Sequence, residues 1–419
     1  MKILLTFKIS LLFTTFLFFF SACNVENSEV AEGGIGGSGV ILAEGGIGGS
    51  GVVMGSITGF GSVYINGVEY DTSNTQFYRD GKRAKQDDFS LGENIEMTGS
   101  VDALTGTGVA DKISYDSDIK GVVTVASSDN HSLRIMGQDV ETTPLTVLNG
   151  FEQLQDLTIE NYVEVSGSRN SEGVLIASSI KLIAPFFMNN SSSIAIEGEI
   201  TRINEDLKMI LVQDTIVDYS AVEDLNSAEN KPKIGQYVEV ESALNYIQDK
   251  ILIASSIHSE TPYQRFEKGT LLAVKGLVTD FDLNFPSHFR VAGQPVVITD
   301  KTKLITGKLD DIFSDTILSV EGLVNENGEL VASTVVVLPL VQEKESGIIE
   351  SIDNNKIRLN GKDIIINTST LLIDQSSQKR KDIKIENLLV GTHIEVIWVE
   401  QEVNGKNIVY TAVRVNILD

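Results

Sequence analysis

The chain has 419 residues, 42% of them hydrophobic, with 33 Lys and Arg against 58 Asp and Glu, a formal net charge of −25. So acidic a surface repels phosphate backbones and anionic lipid headgroups, which removes electrostatically driven nucleic-acid binding from the first expectations. A single cysteine excludes an internal disulfide, and the length suffices for several cores rather than one.

In chain order, Lys2 and Lys8 make a basic start, Leu11 to Phe20 is apolar apart from Thr14 and Thr15, and the run ends Phe20-Ser21-Ala22-Cys23. This resembles the lipobox of bacterial lipoproteins, with Phe20 where Leu is commonest. The resemblance implies a signal peptide over 1–22 and acylation of Cys23, which becomes the first residue of the mature chain. Several acyl chains anchor stably, each buried methylene contributing about 0.8 kcal/mol. Removing Lys2 and Lys8 leaves 31 basic against 58 acidic residues, a net −27. Asn24, not Asp, follows the cysteine, which by analogy with lipoprotein sorting favours the outer membrane. No later apolar run approaches the roughly 18 residues that span a bilayer, the densest lying around Val335 to Val341.

Residues 23–52 form a glycine-rich tether in which Ala31-Glu-Gly-Gly-Ile-Gly-Gly-Ser-Gly-Val40 recurs unchanged from Ala43 to Val52. Glycine at this density carries a large ordering entropy and reads as a flexible spacer, although Ile35 and Ile47 in matching places also suit a docking element.

From Gly55 the chain repeats itself in five units. Each opens on a glycine followed by branched apolar residues: Gly55-Ser-Ile-Thr58, Gly121-Val-Val-Thr124, Gly198-Glu-Ile-Thr201, Gly276-Leu-Val-Thr279 and Gly347-Ile-Ile-Glu350. A hairpin follows, clearest at Asn66-Gly67 and Asn360-Gly361, where Asn-Gly supplies a type I′ turn. Related turns are expected at Met136-Gly137-Gln138, Gln213-Asp214 and Ala292-Gly293-Gln294. A later strand carries Ile95-Glu-Met97, Val163-Glu-Val165, Val238-Glu-Val240, Leu318-Ser-Val320 or Ile394-Glu-Val396. Gly92, Gly235 and Gly391 stand three residues before it in units one, three and five; Glu160 and Asp315 take that place in units two and four, where a different turn is expected. A closing strand is marked by Ala110, Ala177, Ala254, Ala332 or Ala412, a small residue that suggests close packing.

The alternation is period two throughout, not helical. Five or so short strands in about 65 residues bury enough apolar surface only if the sheet curls on itself. The fold class expected is all-β: a tandem array of about five small OB-like β-barrel modules at 53–117, 118–185, 194–260, 268–340 and 344–419. Ser220 to Asn230 and Asp382 to Leu389 have room for a helical turn each. Small sandwiches, or two units sharing one core, are the competing architecture.

Taken with the signal and the glycine decapeptide, the stretch Gly55-Ser-Ile-Thr-Gly-Phe-Gly-Ser-Val-Tyr-Ile-Asn-Gly-Val-Glu-Tyr-Asp-Thr72 resembles bacterial lipoproteins of the domain-of-unknown-function family numbered five-six-six-six. The resemblance is most specific over unit one and the glycine repeat, fair over units two and four, and looser over three and five. It implies tandem modules in an exported protein and carries over no catalytic residue.

Chemistry is sparse. His131, His258, His288 and His393 fall singly in different units, so no metal site is expected from them. Asp280-Phe-Asp282-Leu-Asn284 alternates oxygen ligands as calcium loops do, but Phe285 and Val291 stand where the glycine and closing glutamate belong. Asp116-Ser-Asp118 and Asp310-Asp311 are weaker versions. Glu96, Glu164, Glu239 and Glu395 recur on one strand per unit; their alternation points them outward, one per module, too dispersed for an acid/base pair. Gly48-Gly-Ser50-Gly51 is no nucleophile elbow, and Gly33-Gly-Ile-Gly36 no phosphate loop. Trp398 lies in an alternating strand and suits a core or rim anchor. No catalytic residue, cofactor or metal is therefore expected.

The expectation is a non-enzymatic lipid-anchored protein of the outer membrane or cell surface. It would present its modules as a rod or curved array, membrane-bound through the lipid on Cys23 and binding an envelope or extracellular protein or polysaccharide by avidity. The alternative is a periplasm-facing scaffold or accessory subunit of an export or envelope-assembly machine. Oligonucleotide binding fails on charge unless one face is locally basic, as at Lys82, Arg83 and Lys85 or at Lys379, Arg380 and Lys381.

Overall fold

The computed structural model describes residues 51–102, 105–226, 230–244, 250–259, 266–338, 343–375, 381–403 and 407–418. Cys23 and residues 31–50 of the duplicated stretch lie outside them.

Module 1 shows how one unit closes. Its ring strands are Gly51–Gly59, Val63–Ile65, Val68–Asp71, Asn94–Val101 and Thr107–Tyr115. The first pairs antiparallel with the second, the second with the third, and the third runs parallel to the fifth. The fifth pairs antiparallel with the fourth, and the fourth returns to the first, so the sheet meets itself. A five-stranded barrel with this order is OB-like. Modules 2, 3, 4 and 5 repeat the same five pairings. Module 3 breaks its fifth strand into Ile251–Ile253 and Ser256–Ser259, and module 5 breaks its first into Glu343–Ile348 and Ser351–Asp353. The molecule is thus an all-β tandem array of small barrels.

The hairpins turn at the expected residues: Asn66-Gly67, Met136-Gly137, Ala292-Gly293 and Asn360-Gly361 all have positive φ at both positions, and Gln213 has φ 49°. Between third and fourth strands every module makes one 3₁₀ turn, at Gln86–Asp88, Leu154–Asp156, Glu223–Asn226, Leu309–Asp311 and Ile385–Asn387. The residue after four of these turns is buried: Phe89, Leu157, Ile312 and Leu388.

The opening glycine mark and the residue before the fourth strand prove to be two halves of one contact. The amide at position 92 donates to Ile57 O, and Ile57 N donates to Glu93 O. The same reciprocal pair joins 160 to Val123, 235 to Ile200, 315 to Val278 and 391 to Ile349. This requires a left-handed residue, and Gly92, Gly235 and Gly391 supply it at φ 82°, 84° and 94°. Glu160 and Asp315 do not make a different turn, as the sequence suggested, but adopt the same conformation at φ 76° and 68°. Two backbone bonds hold them there against a cost of roughly 1–2 kcal/mol for a side chain in this region.

The closing alanines are all buried. In four modules the alanine carbonyl accepts from a threonine hydroxyl: Thr75 to Ala110 at 2.7 Å, Thr146 to Ala177 at 2.6 Å, Thr302 to Ala332 at 2.7 Å and Thr370 to Ala412 at 2.7 Å. This pins the connection after the third strand onto the fifth.

Each barrel interior is lined by the alternate residues of its strands, such as Ile57, Ile65, Met97 and Ile113 in module 1. Every such side chain contributes about 1.5–3 kcal/mol on burial. The apolar cores of modules 2 and 3 run into one another, whereas modules 4 and 5 keep separate ones. A rod would confine contacts to sequence neighbours, but module 1 also meets modules 4 and 5. Gly51–Met54 pairs in parallel with Leu271–Val274, the opening strand of module 4. Leu371 and Ile373 of module 5 are buried in the core of module 1.

Candidate functional site

Some of the polar side chains that the barrels bury lie where modules meet, Glu93, Glu164, Ser166 and Thr215 among them. Gln76–Arg79 is a short strand added to module 1, parallel to its fifth strand. It delivers Arg79 to the boundary with module 2, where the guanidinium binds Glu93 with both terminal nitrogens, at 2.9 and 3.0 Å, and also pairs with Glu164 of module 2. Its carbon lies 4.2 Å from the centre of the Tyr115 ring. Lys120 reaches from module 2 to Asp80 at 2.5 Å and lies 3.6 Å from Glu164. Glu93 and Glu164 are buried. Burial works to lower the Arg79 pKa, but Glu93 and Glu164 outweigh it and hold the guanidinium above its ordinary value. Burial pushes the Glu93 carboxyl up, and Arg79 draws it back. Asn94 completes the seam, donating from Nδ2 to Gly167 O at 2.7 Å and from its backbone N–H to Ser166 Oγ at 2.8 Å.

This corrects one expectation. Glu164 does not point outward with its counterparts; it is buried by its neighbour module. Glu96, Glu239 and Glu395 are half-buried, and Lys344 pairs with Glu395 at 2.7 Å. The four glutamates do not converge.

At the next boundary, Ala195 and Ile196 of module 3 pair antiparallel with Lys120 and Ile119 of module 2. Thr215 Oγ1 donates to Met136 O at 2.6 Å, so the two tight hairpins abut. Half-buried Asp118 accepts from Gly167 N at 2.9 Å; burial pushes its carboxyl up to about 6. Beside these hairpins opens a cleft of about 290 Å³. Module 2 contributes Gln138, Asp139, Arg169 and the Glu172-Gly173-Val174 turn, and module 3 contributes Thr201, Arg202, Leu211, Gln213 and Asp214. Arg169 is fixed in its wall, donating to Gly173 O at 2.9 Å, to Glu197 O at 2.6 Å and to Gln138 Oε1. Gln138 is 1% exposed, and its Nε2 has no hydrogen-bond partner among the described residues.

The residues singled out from sequence fall elsewhere. The four histidines stay in separate modules, and among the described residues no three of His, Cys, Asp or Glu gather in a metal-binding group. In the 280–284 loop, Asp280 pairs with Arg290 at 2.5 Å, and Asp282 accepts from Asn284 N and Nδ2 at 2.8 and 2.9 Å, so both acids serve the loop itself. Trp398 is buried against Tyr410, ring centres 4.8 Å apart at 78°. Lys82, Arg83 and Lys85 are exposed, with Arg83 5.3 Å from the Tyr78 ring. Lys379, Arg380 and Cys23 lie outside the described residues. Neither Arg79, Arg169 nor Gln138 stood out from sequence as a functional residue. Their one signal is polarity within segments that otherwise alternate, which many surface residues share.

The model of a family described as Domain of unknown function (DUF5666) matches residues 120–181, 275–336 and 346–415. The matched segments fall in modules 2, 4 and 5. The match does not fall on module 1, where the resemblance read from sequence was most specific. Among solved structures, Drosophila Unr CSD456 is similar at 14% identity over 50% of this chain and 97% of that one, with a TM-score of 0.16. At that score the OB-like assignment rests on the strand pairings. No curated protein matches.

Proposed function

We propose that this chain, three of whose modules match the DUF5666 model, is a non-enzymatic, lipid-anchored cell-envelope protein. Its barrels form a binding or structural surface for an envelope or extracellular ligand. One observation carries the reading: at the boundary of modules 1 and 2, buried charge joins one closed barrel to the next, as Arg79, Glu93, Glu164 and Lys120 do. Catalysis instead needs titratable groups converging on a space for substrate. The basic start, apolar run and Ser21-Ala22-Cys23 support the anchor. The outward faces of the hairpins argue against single-stranded nucleic acid. Arg134 is neutralised by Asp139 across the strands at 2.7 and 2.8 Å, and Arg358 by Asp363 at 2.8 Å, where such ligands require free cations and stacking rings.

Protease accessibility on intact cells, compared with cells whose outer membrane is permeabilised, tests this with a Cys23→Ala control. Digestion of the wild type in intact cells, lost from the membrane fraction in the variant, is the expected result. Protection until permeabilisation overturns surface presentation in favour of a periplasm-facing scaffold.

A further inference from the structure

We infer that the cleft between modules 2 and 3 is a binding site for a neutral saccharide of one or two rings. This rests on the envelope-binding reading and names its ligand class. Gln138 marks the site. A side-chain amide has one acceptor and two donors of use. Its oxygen is committed to Arg169, and turning the amide over would set two donors against each other. Nε2 therefore keeps no partner among the described residues, at a position 1% exposed. An unpartnered buried donor costs about 1–3 kcal/mol, which a ligand acceptor offsets.

The remaining walls choose the ligand. Glu172, Asp214 and Gln213 offer acceptors, Arg202 donors, and Val174 and Leu211 an apolar strip. A hydroxyl both donates and accepts, so adjacent hydroxyls on a ring suit interleaved groups of this kind, with the ring C–H face on the strip. Of the three carboxylates that line the cleft, Asp139 is taken by Arg134; Arg169 spends its donors on Gly173 O, Glu197 O and Gln138, so an incoming anion meets Glu172 and Asp214 with Arg202 as the guanidinium not engaged in that way. An anionic glycan is thus disfavoured. No aromatic residue among the described ones lines it, so they offer no platform for a nucleobase. The hairpin strands here pair on both sides within closed rings, which leaves no edge for an extended peptide. A volume of about 290 Å³ stands at the lower end for small-ligand sites, matching one or two sugar rings.

The test is calorimetric titration of the full mature chain, held in a detergent without a sugar headgroup. The probes are maltose, cellobiose and N,N′-diacetylchitobiose, with digalacturonate and trialanine beside them. The deciding variant is Gln138→Glu, which preserves an oxygen for Arg169 and removes the donor. Gln213→Ala perturbs the opposite wall without touching Arg169. The expected result is binding of at least one neutral disaccharide, weakened tenfold or more by Gln138→Glu and severalfold by Gln213→Ala, with melting of both variants at or near the wild-type temperature. The assignment is overturned if no neutral disaccharide binds, if Gln138→Glu binds as the wild type does, or if digalacturonate or trialanine is preferred. Cell-surface digestion is independent of this titration, so a failed saccharide assignment and a failed envelope assignment give different patterns.

Discussion

Module 1 is joined to modules 2 and 4 by opposite means. Toward module 2 it presents ions: one arginine between two buried glutamates, flanked by a lysine. Toward module 4 it presents backbone and apolar side chains, with Gly51–Met54 in parallel register on Leu271–Val274 and Val52 and Met54 packed on the core of module 4. The apolar joint gains from every methylene it covers. The ionic joint starts from a desolvation penalty and recovers it only with all partners present, so it acts as a test of correct fit more than as a source of stability.

The sharpest way to break this contrast is Arg79→Met, which takes the ion-pair partner from buried Glu93 and leaves Glu164 with Lys120 alone. Denaturant unfolding is expected to show a loss of about 3–5 kcal/mol, largely recovered by adding Glu93→Gln and Glu164→Gln. A loss that the added substitutions leave unchanged would mean that arginine packing, not charge, carries the joint.

Leu272→Ala, at a fully buried position of the apolar joint, is expected to lose about 3 kcal/mol. No second substitution of charge should restore it.

A smaller effect comes through pH. Glu321 lies opposite Ala273 in register, and burial pushes its carboxyl up to about 7 from an ordinary 4.5. Because the folded state takes up this proton more readily than the unfolded, ionisation of Glu321 costs stability. Its contribution therefore grows as pH falls from about 7 to about 4.5 and is flat below. Glu321→Gln should remove this rise, on the order of 2 kcal/mol, from stability measured against pH.

Smallest is Glu160→Gly, which relieves a left-handed side chain and is expected to raise stability by up to about 1 kcal/mol in thermal melts. Asp315→Gly relieves the same strain but forfeits the bonds that Asp315 accepts from Ser171 N and Oγ at 2.7 and 2.8 Å, so no gain is expected there.

These positions also show what could be read beforehand. Asn66-Gly67 and Asn360-Gly361 declare their turns because the required φ angles restrict the residues locally. The alternation of Ile95-Glu-Met97 and its counterparts declares strands for the same reason. The ring closure followed from too little sequence to bury a flat sheet. Glu160 and Asp315 were misread because the left-handed turn is held by bonds to residues about 37 positions earlier (160 − 123; 315 − 278), which two non-glycine residues can satisfy. Glu164 was misread because its alternation describes an isolated module, and the neighbour that buries it is specified by surfaces far apart in the chain. Gln138 was legible only as a turn residue; its unpaired donor exists once Arg169 has taken its oxygen.

The parallel pairing of residues 51–54 with 271–274 also orders events in time. Two whole barrels separate the partners in sequence, and closing so long a loop has an entropy cost that grows with the logarithm of its length. Modules 2 and 3 shorten that loop if they fold first. The strand synthesised earliest in the described chain is then among the last to find both neighbours, and until it does, the matching edge of module 4 stays open to the same strand from another chain. Refolding at high concentration should accordingly trap strand-exchanged dimers that dilution before refolding avoids.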